Sequence, residues 1–140
     1  MSYHLVTLLL GSNLGNRKEN LERALNAISG KIGEIISKSE MMDTQAVEFV
    51  SNNIFCNIAI VIKTQFSPFN ILNSVKGLER DMGRIEDSSV TLQYKDRIID
   101  IDIVKYDNLK FASKKLVIPH DKHLYERDFS KILLFNLNTF

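Results

Sequence analysis

The chain has 140 residues, of which 44% are hydrophobic and 25% are charged, and its formal net charge is +1. This length predicts one domain over residues 1–140 with a single core, and the near-neutral charge argues against nucleic acid as a partner. The chain shows no secretory signal and no apolar run that approaches a membrane span, so we expect no membrane association. The single Cys56 excludes an internal disulfide and favours a reducing, cytoplasmic setting.

The N-terminal part of the chain predicts a strand followed by a helix. Residues 3–10 form a nearly continuous apolar run that stops at Gly11, which is typical of a central strand. A turn follows, and Asn16 is the predicted N-cap of a helix that Gly30 is placed to end. The glycine-containing turn lacks the Gly-Lys-Ser or Gly-Lys-Thr of a phosphate loop, so we interpret it as structural.

The middle of the chain predicts two further strands. Residues 33–42 form a weaker strand, and residues 44–53 form a loop of a length that is often functional. Residues 54–63 alternate clearly, with one aliphatic face and a second face that carries Phe55 and Asn57. This pair has two interpretations: it binds a flat heterocycle, or it is a core aromatic beside a satisfied core amide.

A second helix is predicted from Ser67-Pro68, with Ser67 as N-cap and Gly83 as the C-terminal cap. Glu79 falls at the edge of the apolar stripe of this helix. It either reaches inward to a ligand or is a rim carboxylate paired with a nearby arginine.

Residues 97–104, Arg-Ile-Ile-Asp-Ile-Asp-Ile-Val, have the period of a strand. Alternate positions place the isoleucines Ile99, Ile101 and Ile103 on one face, and Asp100 and Asp102 on the other. Two adjacent carboxylates repel, and a bound cation such as Mg²⁺ relieves that repulsion. An edge strand with solvated Asp side chains is the alternative interpretation.

The C-terminal part predicts a short strand over 116–118, then His120 and a last helix from Arg127. On its own, His120 is more typical of a structural histidine than of a functional one. The order β-α-β-β-α-β, with a trailing strand and helix, predicts an α+β sandwich of the ferredoxin-like kind. Its mainly antiparallel sheet would have helices packed on one face, leaving the other face for ligands.

The run from Tyr94 to Val104, Tyr-Lys-Asp-Arg-Ile-Ile-Asp-Ile-Asp-Ile-Val, resembles the signature of the 6-hydroxymethyl-7,8-dihydropterin pyrophosphokinases of the folate pathway. The resemblance extends through most of the chain. It includes the segments Leu10-Gly11-Ser12-Asn13-Leu14-Gly15, Phe55-x-Asn57, Glu79 with Gly83-Arg84, Leu116-Val117-Ile118-Pro119-His120 and Arg127-Asp128-Phe129.

The resemblance implies Mg²⁺-dependent transfer of pyrophosphate from ATP to the pterin, with only small molecules as partners. The implied catalytic residues are Arg84, Arg97, Asp100 and Asp102, and the two aspartates are the implied ligands of two Mg²⁺ ions. The implied ATP-binding residues are Glu79, Arg84, Arg97, Lys115, His120 and Arg127. The implied pterin-binding residues are Thr44, Phe55, Asn57, Tyr94 and Phe129. The loops 44–53 and 85–96 would close over the nucleotide and exclude water.

The competing interpretation is a non-catalytic or regulatory ferredoxin-like domain that binds a nucleotide or a pterin, because a fold does not guarantee a function. The combination of Arg97, Asp100, Asp102 and His120 argues against it. An Asp-x-Asp glycosyltransferase would need a larger domain than 140 residues provide.

Overall fold

A computed structural model describes residues 2–44, 54–83, 98–120, 128–135 and 137. The strands are β1 (His4–Ser12), β2 (Glu34–Lys38), β3 (Met42–Thr44), β4 (Phe55–Thr64), β5 (Asp100–Tyr106), β6 (Phe111–Ala112) and β7 (Val117–Ile118). The helices are α1 (Arg17–Lys31), α2 (Pro68–Asp81) and α3 (Asp128–Phe135). No helix within these ranges is long and apolar enough to cross a membrane.

The main sheet is antiparallel, with strand order β2-β4-β1-β5 and with β3 paired to β4. The predicted α+β class and the mainly antiparallel sheet are therefore confirmed. β1 is longer than predicted, since it continues through Gly11 to Ser12. β5 begins at Asp100 and ends at Tyr106, two residues beyond the predicted end. The hairpin of β6 and β7 forms a separate small sheet, and β6 was not predicted.

The predicted strand over 33–42 is in fact two short strands, β2 and β3, that both pair with β4. Ser39 lies between them. Its backbone N–H donates to the Ala59 carbonyl at 2.8 Å, and its hydroxyl accepts from the Ala59 N–H at 3.0 Å. A side chain thus takes the place of one backbone partner, and the regular ladder is interrupted there.

Both predicted helix starts are confirmed, because the side chains of Asn16 and Ser67 accept hydrogen bonds from backbone amides in the first turns of α1 and α2. Gly30 does not end α1, since that helix continues to Lys31. Gly83 does follow the end of α2. Its φ is +118°, a backbone conformation in which a residue with a side chain would be strained.

The larger part of the core lies between α1, α2 and one face of the sheet. The apolar faces of β1, β4 and β5 point into it, and the predicted isoleucine face of β5 is confirmed there. Its most completely buried members include Leu8, Leu10, Leu21, Ile28, Ile60, Ile62, Ile71 and Ile99.

The sequence predicted that the opposite face of the sheet would be left for ligands. In the structure, α3 covers one end of that face. Leu133 of α3 and Leu137 pack there in a second apolar cluster, together with Leu9, Ala59, Val61 and Val104. The apolar side chains at one end of this face require a cover, and α3 provides it. The remaining end carries the polar side chains described below.

Candidate active site

Three strands bring a row of residues together on the second sheet face, next to the apolar cluster under α3. Gly11 of β1 lies opposite Asn57 of β4 on one side and opposite Asp100 of β5 on the other. In the next row, Leu9 lies opposite Ala59 and Asp102. Because directly opposed residues of antiparallel strands share a face, the Asn57 amide and both carboxylates stand on one surface.

The Asn57 side chain is oriented by the Thr44 hydroxyl and by the lack of a side chain at Gly11. Its Nδ2 donates to the Thr44 hydroxyl at 2.7 Å, and Thr44 is the partner of Phe55 in the short β3–β4 ladder. A Cβ on Gly11 would lie 2.7 Å from Asn57 Oδ1 and 3.4 Å from Phe55 Cδ1. Only glycine therefore allows the Asn57 carbonyl oxygen to lie over β1. The structure brings together three of the implied pterin-binding residues.

The two carboxylates stand on a firmly anchored strand. Asp100 and Asp102 are partly buried, whereas Ile99, Ile101 and Ile103 between and beside them are almost fully buried. Residues two apart on a strand have Cα atoms about 6.6 Å apart and point the same way. In the described part of the chain no three His, Cys, Asp or Glu side chains cluster as a metal site. The pair fits Mg²⁺, which is commonly held by one or two carboxylates together with substrate phosphates.

Glu79 is neither on the rim nor exposed to solvent, because it is fully buried. Its Oε2 accepts a hydrogen bond of 2.8 Å from the Ile101 N–H, and its Oε1 lies 3.5 Å from Lys76 Nζ. The rim interpretation is therefore wrong. The carboxylate binds the backbone of β5 at the residue between the two aspartates, and so helps to fix their position.

The hairpin β6–β7 and the segment after it contribute two further predicted residues. His120 is half-buried, and its backbone N–H donates to the Val104 carbonyl of β5 at 2.9 Å, so it lies beside the carboxylate strand. Lys115 is exposed in the turn between β6 and β7. Cys56 is buried on the core side of β4, where desolvation and then the nearby Asp43 carboxylate raise the pKa of its thiol. A protonated thiol is a poor nucleophile, as predicted.

Other predicted residues lie outside the described part of the chain. These residues are Arg84, Tyr94, Arg97 and Arg127, and with them most of the two predicted loops. Phe129 belongs to α3, but its side chain is not among those described.

Known proteins similar to this chain identify its family. The family model of 7,8-dihydro-6-hydroxymethylpterin-pyrophosphokinase (HPPK) matches residues 7–139. The chain belongs to the HPPK family. A 2-amino-4-hydroxy-6-hydroxymethyldihydropteridine pyrophosphokinase of Porphyromonas gingivalis is 34% identical over 131 residues, covering 93% of this chain and 88% of that protein. The enzyme class expected from the sequence, an ATP-using pyrophosphokinase, is thus confirmed.

Other HPPK relatives are longer proteins. A folate synthesis bifunctional protein of Arabidopsis thaliana is 35% identical over 128 residues, which cover 91% of this chain and 26% of that protein. A crystal structure of Plasmodium falciparum HPPK-DHPS with STZ-DHP has the same fold, with a TM-score of 0.70 at 17% identity, over 97% of this chain and 40% of that one. The chain therefore spans about a quarter to two fifths of these bifunctional proteins.

Two features of this candidate site were not predicted from the sequence. Gly11 was interpreted as the end of a strand, although it lies within β1 and forms the floor beside Asn57. A glycine directly beside a strong strand pattern was the available signal. The sequence also did not predict that α3 covers part of this sheet face, because the apolar residues of a helix do not indicate which sheet face they pack against.

Proposed function

We propose that this chain transfers pyrophosphate from ATP to 6-hydroxymethyl-7,8-dihydropterin, in an Mg²⁺-dependent step of folate synthesis in the cytoplasm. Both substrates are small molecules, and we expect neither nucleic acid nor a membrane to take part. The observation that carries the proposal is the row Asn57, Gly11 and Asp100 on one sheet face of an HPPK chain. The row supports the proposal because an amide suits the amide-like edge of a pterin ring, and a carboxylate beside it suits a metal that binds phosphates.

The pterin binds over Gly11. The outer strands of a three-strand row are roughly 10 Å apart, a span that matches the size of one flat bicyclic ring. Because Asn57 Nδ2 donates to Thr44, its Oδ1 over Gly11 is oriented to accept from a ring N–H. Phe55 stacks on the ring, and Tyr94 and Phe129 complete the pterin site by the family resemblance.

The phosphates bind at the β5 side of the row. Asp100 and Asp102 would hold two Mg²⁺ ions. The bound metal would neutralise phosphate charge and activate the substrate hydroxyl. Lys115 lies along the nucleotide. By the resemblance, phosphate oxygens are contacted by Arg84, Arg97, His120 and Arg127. Glu79 contributes through β5 and not through a nucleotide contact, since its carboxylate is fully buried.

In the reaction, the pterin hydroxymethyl oxygen forms a bond to the β-phosphorus of ATP. The bond from that phosphorus to the oxygen bridging to the α-phosphate breaks, and AMP leaves with the bridging oxygen, while the hydroxyl proton is released. Positioning and charge neutralisation provide most of the acceleration in such transfers, so no strong protein nucleophile is needed.

The products test this proposal directly. Incubation with ATP, Mg²⁺ and the hydroxymethylpterin should give equal amounts of AMP and a pterin diphosphate, detected by phosphorus NMR. ADP with a pterin monophosphate would place the attack at the γ-phosphorus and contradict the proposal. Binding of both substrates without turnover would favour the non-catalytic domain.

We predict that Gly11→Ala raises the KM for the pterin by at least about tenfold, because the new Cβ would displace the Asn57 amide from its position over β1. The KM for ATP should change little. Gly30→Ala is the matched control, since a Cβ at Gly30 meets no atom within 4 Å. Equal pterin KM values for the two variants would show that Asn57 does not bind the ring.

A further inference from the structure

Arg17 connects the two strands that flank residues 45–53. Its Nη1 donates to the Ile54 carbonyl oxygen at 2.8 Å and lies 3.3 Å from Asp43 Oδ1. Asp43 precedes Thr44, the last residue of β3, and Ile54 precedes Phe55, the first residue of β4. One guanidinium group thus bridges the two chain segments immediately next to the Thr44–Phe55 pair.

This bridge lies at β3, the shortest described strand of the main sheet. β3 has three residues, and its three pairs with β4 are Met42 with Asn57, Asp43 with Cys56, and Thr44 with Phe55. Such a short ladder has few backbone hydrogen bonds to hold its register. The Thr44 hydroxyl that orients Asn57 belongs to this last pair, so any movement of β3 changes the direction of the Asn57 amide.

Arg17 itself is held by a well-ordered helix start. Asn16 caps α1, and the buried Asn20 donates to the Ser12 hydroxyl at 3.1 Å and to the Leu14 carbonyl at 2.8 Å. These bonds fix the first turn of α1 to the end of β1. A positive charge at the first position of a helix is unfavourable for the helix dipole, so the helix alone gives no reason for an arginine at this position.

We infer that Arg17 is a positioning residue for pterin binding: it holds the β3–β4 end so that Thr44, Phe55 and Asn57 keep the geometry that recognises the ring. This inference rests on the proposed function. The planar guanidinium suits the role because it can donate to two acceptors in fixed directions, which a lysine ammonium on a flexible stem does not reproduce.

The test compares Arg17→Ala and Arg17→Lys with Arg23→Ala, which removes an exposed arginine from the same helix. Steady-state kinetics should show a pterin KM about tenfold higher for Arg17→Ala, with the KM for ATP within about twofold of the unmodified chain. Arg17→Lys should restore little of this loss, and Arg23→Ala should be unchanged. NMR of the substrate-free proteins should show a changed chemical shift of the Asn57 side-chain amide in both Arg17 variants and no change in Arg23→Ala.

Several results would overturn the inference. A lower kcat with both KM values unchanged would indicate only a smaller folded fraction, and full restoration by lysine would indicate that charge matters and not the bridge. An unchanged Asn57 resonance would show that the strand end does not move. If the unmodified chain neither binds nor converts the pterin, the proposed function fails. An Asn57 shift in the Arg17 variants would then show that Arg17 still positions the β3–β4 end, whereas no shift would overturn the inference as well.

Discussion

Asp100→Asn and Asp102→Asn should each lower kcat by about a thousandfold or more, while the melting temperature without metal stays close to that of the unmodified chain. A carboxylate that holds Mg²⁺ supports several kcal/mol of charge stabilisation in the transition state, and an amide does not replace it. The fold should persist because the strand is anchored by the isoleucines on its other face.

Asp81→Asn provides the matched control, since Asp81 is an exposed aspartate at the end of α2. Its turnover should equal that of the unmodified chain. Thermal melting with and without Mg²⁺ completes the measurement. If either β5 variant unfolds at a much lower temperature in the absence of metal, the aspartate pair is structural and the metal assignment is wrong.

Glu79→Ala should lower the free energy of unfolding by about 3 kcal/mol, because it leaves the buried Ile101 N–H without its acceptor and opens a cavity in the core. It should also lower turnover, since Ile101 lies between the two aspartates. Denaturant unfolding measures the first effect, and steady-state kinetics on the folded fraction measure the second.

Glu79→Gln and Lys76→Ala separate the contributions to this effect. The amide oxygen of glutamine still accepts from the Ile101 N–H, so Glu79→Gln should cost less than half as much. Lys76→Ala removes only a half-exposed partner at 3.5 Å and should cost about 0.5 kcal/mol or less. A loss for Glu79→Ala no larger than that for Lys76→Ala would mean that the buried hydrogen bond does not hold β5.

The sequence was sufficient to predict the strands and helices with strong periodicity. β4 and β5 each have one continuous apolar face, and both long helices begin at a side chain that caps their first turn. These signals are local, so neighbouring residues along the chain carry them. The choice of an antiparallel sheet with a ligand face followed from the order of the elements.

The errors occurred where contacts distant in sequence decide the structure. Ser39 interrupts a strand through Ala59, twenty positions away along the chain. The sequence left Glu79 between an inward position and a rim position, because helical spacing alone does not reveal the Ile101 amide beneath it. A buried carboxylate is stable only when a partner satisfies it, and no local pattern indicates that partner.

The candidate site also combines features set by local sequence patterns with features set by contacts distant in sequence. The pairing of Asp100 with Asp102, and of Phe55 with Asn57, follows directly from strand alternation. Their meeting on one surface depends on the register of β1 against β4 and β5, which the sequence did not specify. The sequence predicted no role for Arg17, because its two partners lie 26 and 37 positions further along the chain.

The cluster under α3 has an electrostatic consequence for the neighbouring carboxylates. Leu9 lies directly opposite Asp102 and is almost fully buried against the helix, so one side of the aspartate pair borders a region of low dielectric constant. Coulomb energies grow as the dielectric constant falls, and salt ions reach such charges from fewer directions. If the aspartate pair holds a cation as proposed, the helix that completes the core should strengthen that attraction and make it less sensitive to ionic strength.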